Sequence, residues 1–191
     1  MTNEKMLELL NKEKYEELKN GLIENIRIET EKGKGTKVKD LTIIKRVNCM
    51  ENLYGYHPLN LYDKEYKCFT DGHYILASEQ DFGYNKAEKP FNMSKLVNES
   101  MFDDTIEIKV DMTDLTTFKK VNKKDITKHP YIFENEKIRI GFNPNFLFDA
   151  LTFCKTDTIY VTKSIAPAYI KSESKDRVAL VLPVNLKVVD K

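Results

Sequence analysis

The segment from Ile138 to Leu186 constrains the fold more than any other part of the chain. Ile138-Arg139-Ile140 alternates into Gly141, and Asn143-Pro144 then offers a helix cap followed by proline at the first helical position. Phe146, Leu147, Ala150, Leu151 and Cys154 recur at helical spacing, which predicts an amphipathic helix over residues 144–155 with that stripe buried. Residues 158–161, 168–170 and 178–186 read as three further strands, separated by Pro167 and by the charged turn 173–176. A strand, a turn, a helix and three strands make an α+β block with an antiparallel sheet. No phosphate loop, dinucleotide fingerprint or nucleophile elbow interrupts it.

Upstream, Met6, Leu7, Leu9, Leu10, Tyr15, Leu18 and Leu22 fall at helical spacing with Glu and Lys between them, which predicts a first amphipathic helix ending near Gly21. Residues 22–29 take up period-two alternation, Gly33-Lys34-Gly35 offers a turn, and residues 37–47 read as a second strand, so a hairpin is expected. Residues 51–62, rich in Tyr and Asn and with His57 before Pro58, read as an ordered loop. A strand over 66–69, a turn at Asp71-Gly72 and a strand over 73–78 follow. Residues 80–100 are polar and mixed and read as a loop or insertion. Residues 106–112 alternate as a strand, and residues 119–128 read as a solvated connector.

The chain has 191 residues, 41% of them hydrophobic, enough for one generous core or two small ones. Lys plus Arg at 31 against Asp plus Glu at 30 leaves a formal charge of +1, so no global basic field points to nucleic acid. Arginine stands only at 27, 46, 139 and 177, which leaves few planar forks for reading base edges. The start of the chain lacks a basic-then-apolar leader pattern and no apolar run has the length of a membrane span, which predicts a cytoplasmic protein without a membrane partner. Cys49, Cys68 and Cys154 are an odd number at irregular spacing, the pattern of reduced and buried thiols.

Several of these segments together resemble the bacterial DNA sliding clamp, the DNA polymerase III beta subunit family. In that family a partner peptide sits in an apolar pocket bounded by a Thr-Asp-Gly-His turn, matched here by Thr70-Asp71-Gly72-His73 with Ile75 beyond it. The pocket also uses the Asn of a Gly-Phe-Asn turn and an aromatic one helical turn on, matched by Asn143 and Phe146. An apolar residue of the next hairpin is matched by Ile165, and the final strand by Leu180, Val181, Leu182, Pro183 and Val184. The resemblance implies a clamp-like α+β fold with an antiparallel sheet, two main amphipathic helices and an insertion. It implies a peptide-binding site at Thr70, Gly72, His73, Ile75, Asn143, Phe146, Ile165, Leu180, Val181, Leu182, Pro183 and Val184. The partners it implies are clamp-binding peptides of DNA polymerase or other replication proteins, duplex DNA without sequence specificity, and further copies of the chain, with no cofactor.

Two domain organisations fit. One is a single clamp-like domain with halves 1–80 and 137–191 around an insertion 81–136; the other is two small clamp-like domains, 1–100 and 101–191. DNA contact would fall to Lys12, Lys14 and Lys19 of the first helix, although Glu4, Glu8, Glu13, Glu16 and Glu17 share its surface. Two alternatives stand beside a processivity factor. One is a clamp-derived interaction module that does not encircle DNA. The other is a small enzyme or metal protein built on His57, His73, His129, Asp71 and the cysteines, whose spacing matches no metal-ligand or catalytic pattern. The residues therefore predict no catalytic and no metal site.

Overall fold

The computed structural model describes residues 3–11, 14–47, 56–84, 86–87, 92–99, 104–123 and 128–186. The chain divides into two compact units, residues 1–42 with 82–84, and residues 43–81 with 85–191.

The first unit is helical. Helix α1 runs Asn3–Asn11 and α2 runs Tyr15–Gly33, so the single helix expected here is two. Residues 22–29, expected as a strand, lie inside α2, and residues 37–47, expected as its hairpin partner, hold α3, Val38–Val47, whose residues from Ile43 on belong to the second unit. Only the Gly-Lys-Gly turn falls where the sequence put it, with Gly35 at φ +85°. The reason is charge spacing. Glu24–Arg27, Glu29–Lys32 and Glu31–Lys34 are i,i+3 ion pairs that close only on a helix. In α3 the buried residues Asp40, Leu41, Ile43, Ile44 and Val47 follow the helical period, not alternation. The face of α2 turned inward is polar: the Arg27 guanidinium donates to the Phe82 carbonyl at 2.9 Å and lies 3.9 Å over the Tyr84 ring. Glu31 is buried, and the Gly83 backbone passes so close that an added Cβ would meet its carboxylate at 2.9 Å.

The second unit carries the sheets. Strands β1 (His57–Leu61), β2 (Lys64–Thr70), β3 (Tyr74–Ser78), β4 (Ile106–Lys109), β7 (Thr158–Val161), β8 (Ala168–Lys171) and β9 (Arg177–Val181) form a seven-stranded antiparallel sheet in the order β1-β2-β3-β9-β8-β7-β4. Strands β5 (Tyr131–Glu134), β6 (Arg139–Phe142) and β10 (Pro183–Val184) form a second sheet, in the order β10-β6-β5. Leu182 alone separates β9 from β10, so the chain changes sheets at that residue.

Helices α4 (Met93–Glu99), α5 (Met112–Val121) and α6 (Pro144–Cys154) complete the unit. Six helices thus stand among the described residues where two main ones were expected. Residues 51–62, expected as loop, contain β1, and residues 80–100, expected as loop or insertion, contain α4, while α5 takes in Met112, expected at the end of a strand, and residues 119–121, expected as connector. The Asp111 side chain caps α5 by accepting from the Thr113 and Asp114 amides, a cap masked in the sequence by the alternation before it.

Both faces of the central strands are covered. Leu59, Leu61, Tyr66, Cys68, Ile75, Ala77, Tyr169, Val178 and Leu180 pack with Met93 and Val97 of α4. On the other face α6 packs against β9, β3 and β8 with Leu147, Ala150, Leu151, Phe153 and Cys154 buried. Five residues of β3 and five of β9 are all buried, the near-continuous apolar run of a strand covered on both sides. Burial pushes the Cys68 thiol up to about 12 and the Cys154 thiol higher still, so both are inert as thiolates. Cys49 lies outside the described residues.

Two predictions follow from buried polar groups. Asp149, buried on α6, accepts from the Arg46 guanidinium at 2.6 Å, and Arg46 is half exposed. Arg46→Ala should cost about 1–2 kcal/mol in chemical denaturation, discounted for solvent at the arginine end. His57 is buried on β1, and burial lowers its pKa below the ordinary 6.5. Unfolded chains therefore take up a proton that the fold refuses. The contribution is fully present above the ordinary value and is lost as pH falls through it toward the lower folded value. The melting temperature should drop between about pH 7 and pH 5.5, and His57→Gln should flatten that slope.

Candidate functional site

The turn between β2 and β3 is fastened from both ends. Thr70 Oγ1 donates to the Tyr74 carbonyl at 2.8 Å and accepts from the Gly72 amide at 3.0 Å. Asp71 Oδ1 accepts from the His73 amide at 2.9 Å and from the Tyr74 amide at 3.2 Å, an Asx-type turn. Gly72 sits at φ +88°, a conformation that favours glycine. The turn thereby presents an exposed imidazole, His73, on a fixed backbone.

That imidazole is supported from behind. Phe146, on the first turn of α6, lies parallel to the Tyr74 ring at 4.7 Å between centroids and to the His73 ring at 5.7 Å. The Asn143 side chain sets where α6 begins by accepting from the Asn145 amide at 2.9 Å, with Pro144 at the first helical position.

Next to the turn lies a cavity of about 120 Å³ lined by Thr70, Gly72, His73, Tyr74, Ile75, Leu96, Pro167, Leu180 and Leu182. It opens at the end of the sheet, on the side that α4 covers, because Ile75 and Leu180 share that face with Met93 and Val97. Leu182 forms its outer wall at 41% exposure and is pinned by its own amide, which donates to the His73 carbonyl at 3.0 Å. A second, wider depression of about 470 Å³ is lined by Arg139, Ser164, Ile165, Pro183, Val184, Asn185 and Leu186. Leu182 and Pro183 are consecutive, and Ile165 lies two residues from Pro167, so the two linings are neighbours along the chain.

The sequence-derived site residues divide among four places. Thr70, Gly72, His73, Ile75, Leu180 and Leu182 line the smaller cavity. Ile165, Pro183 and Val184 line the wider depression, with Ile165 85% exposed. Asn143 and Phe146 stand behind, holding α6 and the His73 ring. Val181 is fully buried and alternates to the face opposite Leu180, where it belongs to the core. Leu96, Pro167 and Leu186 also contribute lining that the sequence did not single out. No residue-level signal marked them, because Leu96 sits in a segment without clear periodicity.

The lysines singled out for DNA lie in the first unit. Lys14 is 3.6 Å from Glu17 and Lys19 is 3.8 Å from Glu16; Lys12 lies outside the described residues. Among the described residues no group of three or more His, Cys, Asp or Glu is placed to hold a metal ion, and no helix is long and apolar enough to cross a membrane.

No protein-family model matches the chain, and no curated protein matches its sequence. Solved structures of bacterial sliding clamps are similar over part of their length. A DNA polymerase III beta subunit from Eubacterium rectale is 16% identical over 65% of this chain and 42% of its own, with a TM-score of 0.39. The clamp of Bartonella birtlesii bound to griselimycin is 13% identical over 71% of this chain and 59% of its own, at 0.47. The Helicobacter pylori beta clamp bound to a DNA ligase peptide is 14% identical over 65% of this chain and 42% of its own, at 0.38. The chain thus spans less than two thirds of each.

Asn143→Ala should lower stability by about 1 kcal/mol through loss of the cap, and Asn143→Ser should restore most of it. Thermal melts of the three proteins check this.

Proposed function

We propose that the protein is a clamp-like peptide-docking component of DNA replication, and that its two depressions together hold an extended segment of a partner. A branched aliphatic side chain would enter the cavity between Leu180 and Leu182, and a second apolar side chain would lie against Ile165 and Val184. The observation that carries this reading is convergence: six residues separated by up to 112 positions, chosen from sequence motifs alone, line one small cavity. At about 120 Å³ that cavity is smaller than the roughly 300 Å³ and more of a small-molecule site, and suits a single anchoring side chain.

The chemistry of the lining favours binding over catalysis. The Thr70 hydroxyl is committed to the Tyr74 carbonyl, and the exposed His73 ring supplies a polar edge that orients a ligand. Burying two apolar anchors contributes about 2 kcal/mol each, which corresponds to weak, micromolar-range docking of an isolated peptide once a few backbone hydrogen bonds are added. The resemblance of residues 70–73, 141–146 and 180–184 to sliding-clamp motifs makes peptides of DNA polymerase or other replication proteins the partners of choice. The reading requires neither encirclement of DNA nor the Lys14 and Lys19 side chains.

A fluorescent peptide with adjacent Leu and Phe side chains, titrated by anisotropy, tests the proposal. Saturable binding is expected, weakened at least about tenfold by Leu182→Lys and by Ile165→Lys, with circular dichroism unchanged. Binding indifferent to both substitutions would remove the groove from the account.

A further inference from the structure

Helix α2 is amphipathic the wrong way round. Glu24, Arg27 and Glu31 occupy its inward face, with Arg27 reaching the Phe82 carbonyl and Glu31 buried. Its outward face carries Tyr15, Leu22, Ile23 and Ile26, which are 60%, 43%, 56% and 65% exposed. Four large apolar side chains on one exposed face mark an interaction surface.

The spacing and charge of that face specify its occupant. Tyr15, Lys19, Leu22, Ile26, Glu29 and Gly33 alternate steps of four and three along α2, the seam of a two-helix coiled coil. The seam is self-complementary when reversed. Laid antiparallel on a second copy about residue 24, Leu22 faces Ile26 of the second copy, and Lys19 faces Glu29 of the second copy. Tyr15 faces Gly33 of the second copy, where a bulky ring needs the space that glycine leaves. Ile23 meets its own counterpart beside the two-fold axis, so the apolar centre is closed at each end by an opposite-charge pair. A parallel pairing would set Lys19 on Lys19 and Glu29 on Glu29, like charges at both ends. Lys19 and Glu29 now engage Glu16 and Lys32 on their own helix at 3.8 Å and 2.9 Å, exposed pairs that exchange readily for partners across a seam.

We infer that the outward face of α2 is a homodimer interface, two copies pairing antiparallel through Leu22, Ile23 and Ile26 with Lys19–Glu29 pairs between copies at both ends. The helix is about 28 Å long at 1.5 Å per residue, which makes the contact modest and its assembly concentration-dependent. The peptide groove plays no part in the inference.

Sedimentation velocity of the full chain over a concentration series is the test, with circular dichroism confirming the helices of each variant. A monomer–dimer equilibrium is expected, abolished by Ile26→Lys. Lys19→Glu and Glu29→Lys should each raise the dissociation constant about tenfold, since each sets two like-charge pairs across the seam. The double variant K19E/E29K should recover the wild-type constant, and an equimolar mixture of the two single variants should form heterodimers that neither forms alone. A chain that stays monomeric up to about 200 micromolar overturns the inference, since no useful association would remain. So does a double variant as impaired as the singles, or an oligomer that survives Ile26→Lys, as a ring assembled elsewhere on the surface would.

Discussion

Strand β9 is the element on which the second unit depends. It pairs with β3 on one side and β8 on the other, and all five of its residues are buried between α4 and α6. A strand covered on both faces has no freedom of register, because a slip of one residue would exchange Leu180 with Val181 and present each side chain to the wrong neighbours. The same strand runs on into Leu182, which leads to the second sheet and walls the cavity. The groove thus inherits its geometry from the least adjustable part of the core.

The parts legible in the sequence were those in which local and long-range signals agree. Helix α6 announces itself by Asn143-Pro144 and by a clean apolar stripe, and the turn at residues 70–73 by Thr, Asp and Gly in the places its hydrogen bonds require. The errors arose where two periods compete. Residues 22–29 alternate, yet Glu24–Arg27 and Glu29–Lys32 are spaced for the ion pairs of a helix. Residues 37–47 are ambiguous for a related reason, since a short apolar segment reads as strand or helix, and only the helix places Leu41, Ile44 and Val47 on one face. Helices α4 and α5 were hidden by composition too mixed to show a stripe.

Arginine use sharpens the contrast between structure and surface. Each of the four arginines has a structural contact: Arg27 with Glu24 and the Phe82 carbonyl, Arg46 with Asp149, Arg139 with Glu134, and Arg177 with the Phe153 carbonyl at the end of α6. Four arginines are few for reading base edges. Their placement adds that Arg27 and Arg177 reach backbone carbonyls inside the fold, while Arg46 and Arg139 are exposed and each sits against one carboxylate.

The two ends of the groove differ in their freedom to change. Ile75 and Leu180 belong at once to the cavity wall and to the core under α4, so altering them disturbs packing as well as any ligand. Ile165, at the rim, bears on little but solvent. In the proposed docking role two duties would be separate: the buried end would set that something aliphatic enters, while the exposed residues would decide which flanking residues are welcome. Related chains could change what they recognise by repainting the rim while the strands beneath stay as they are.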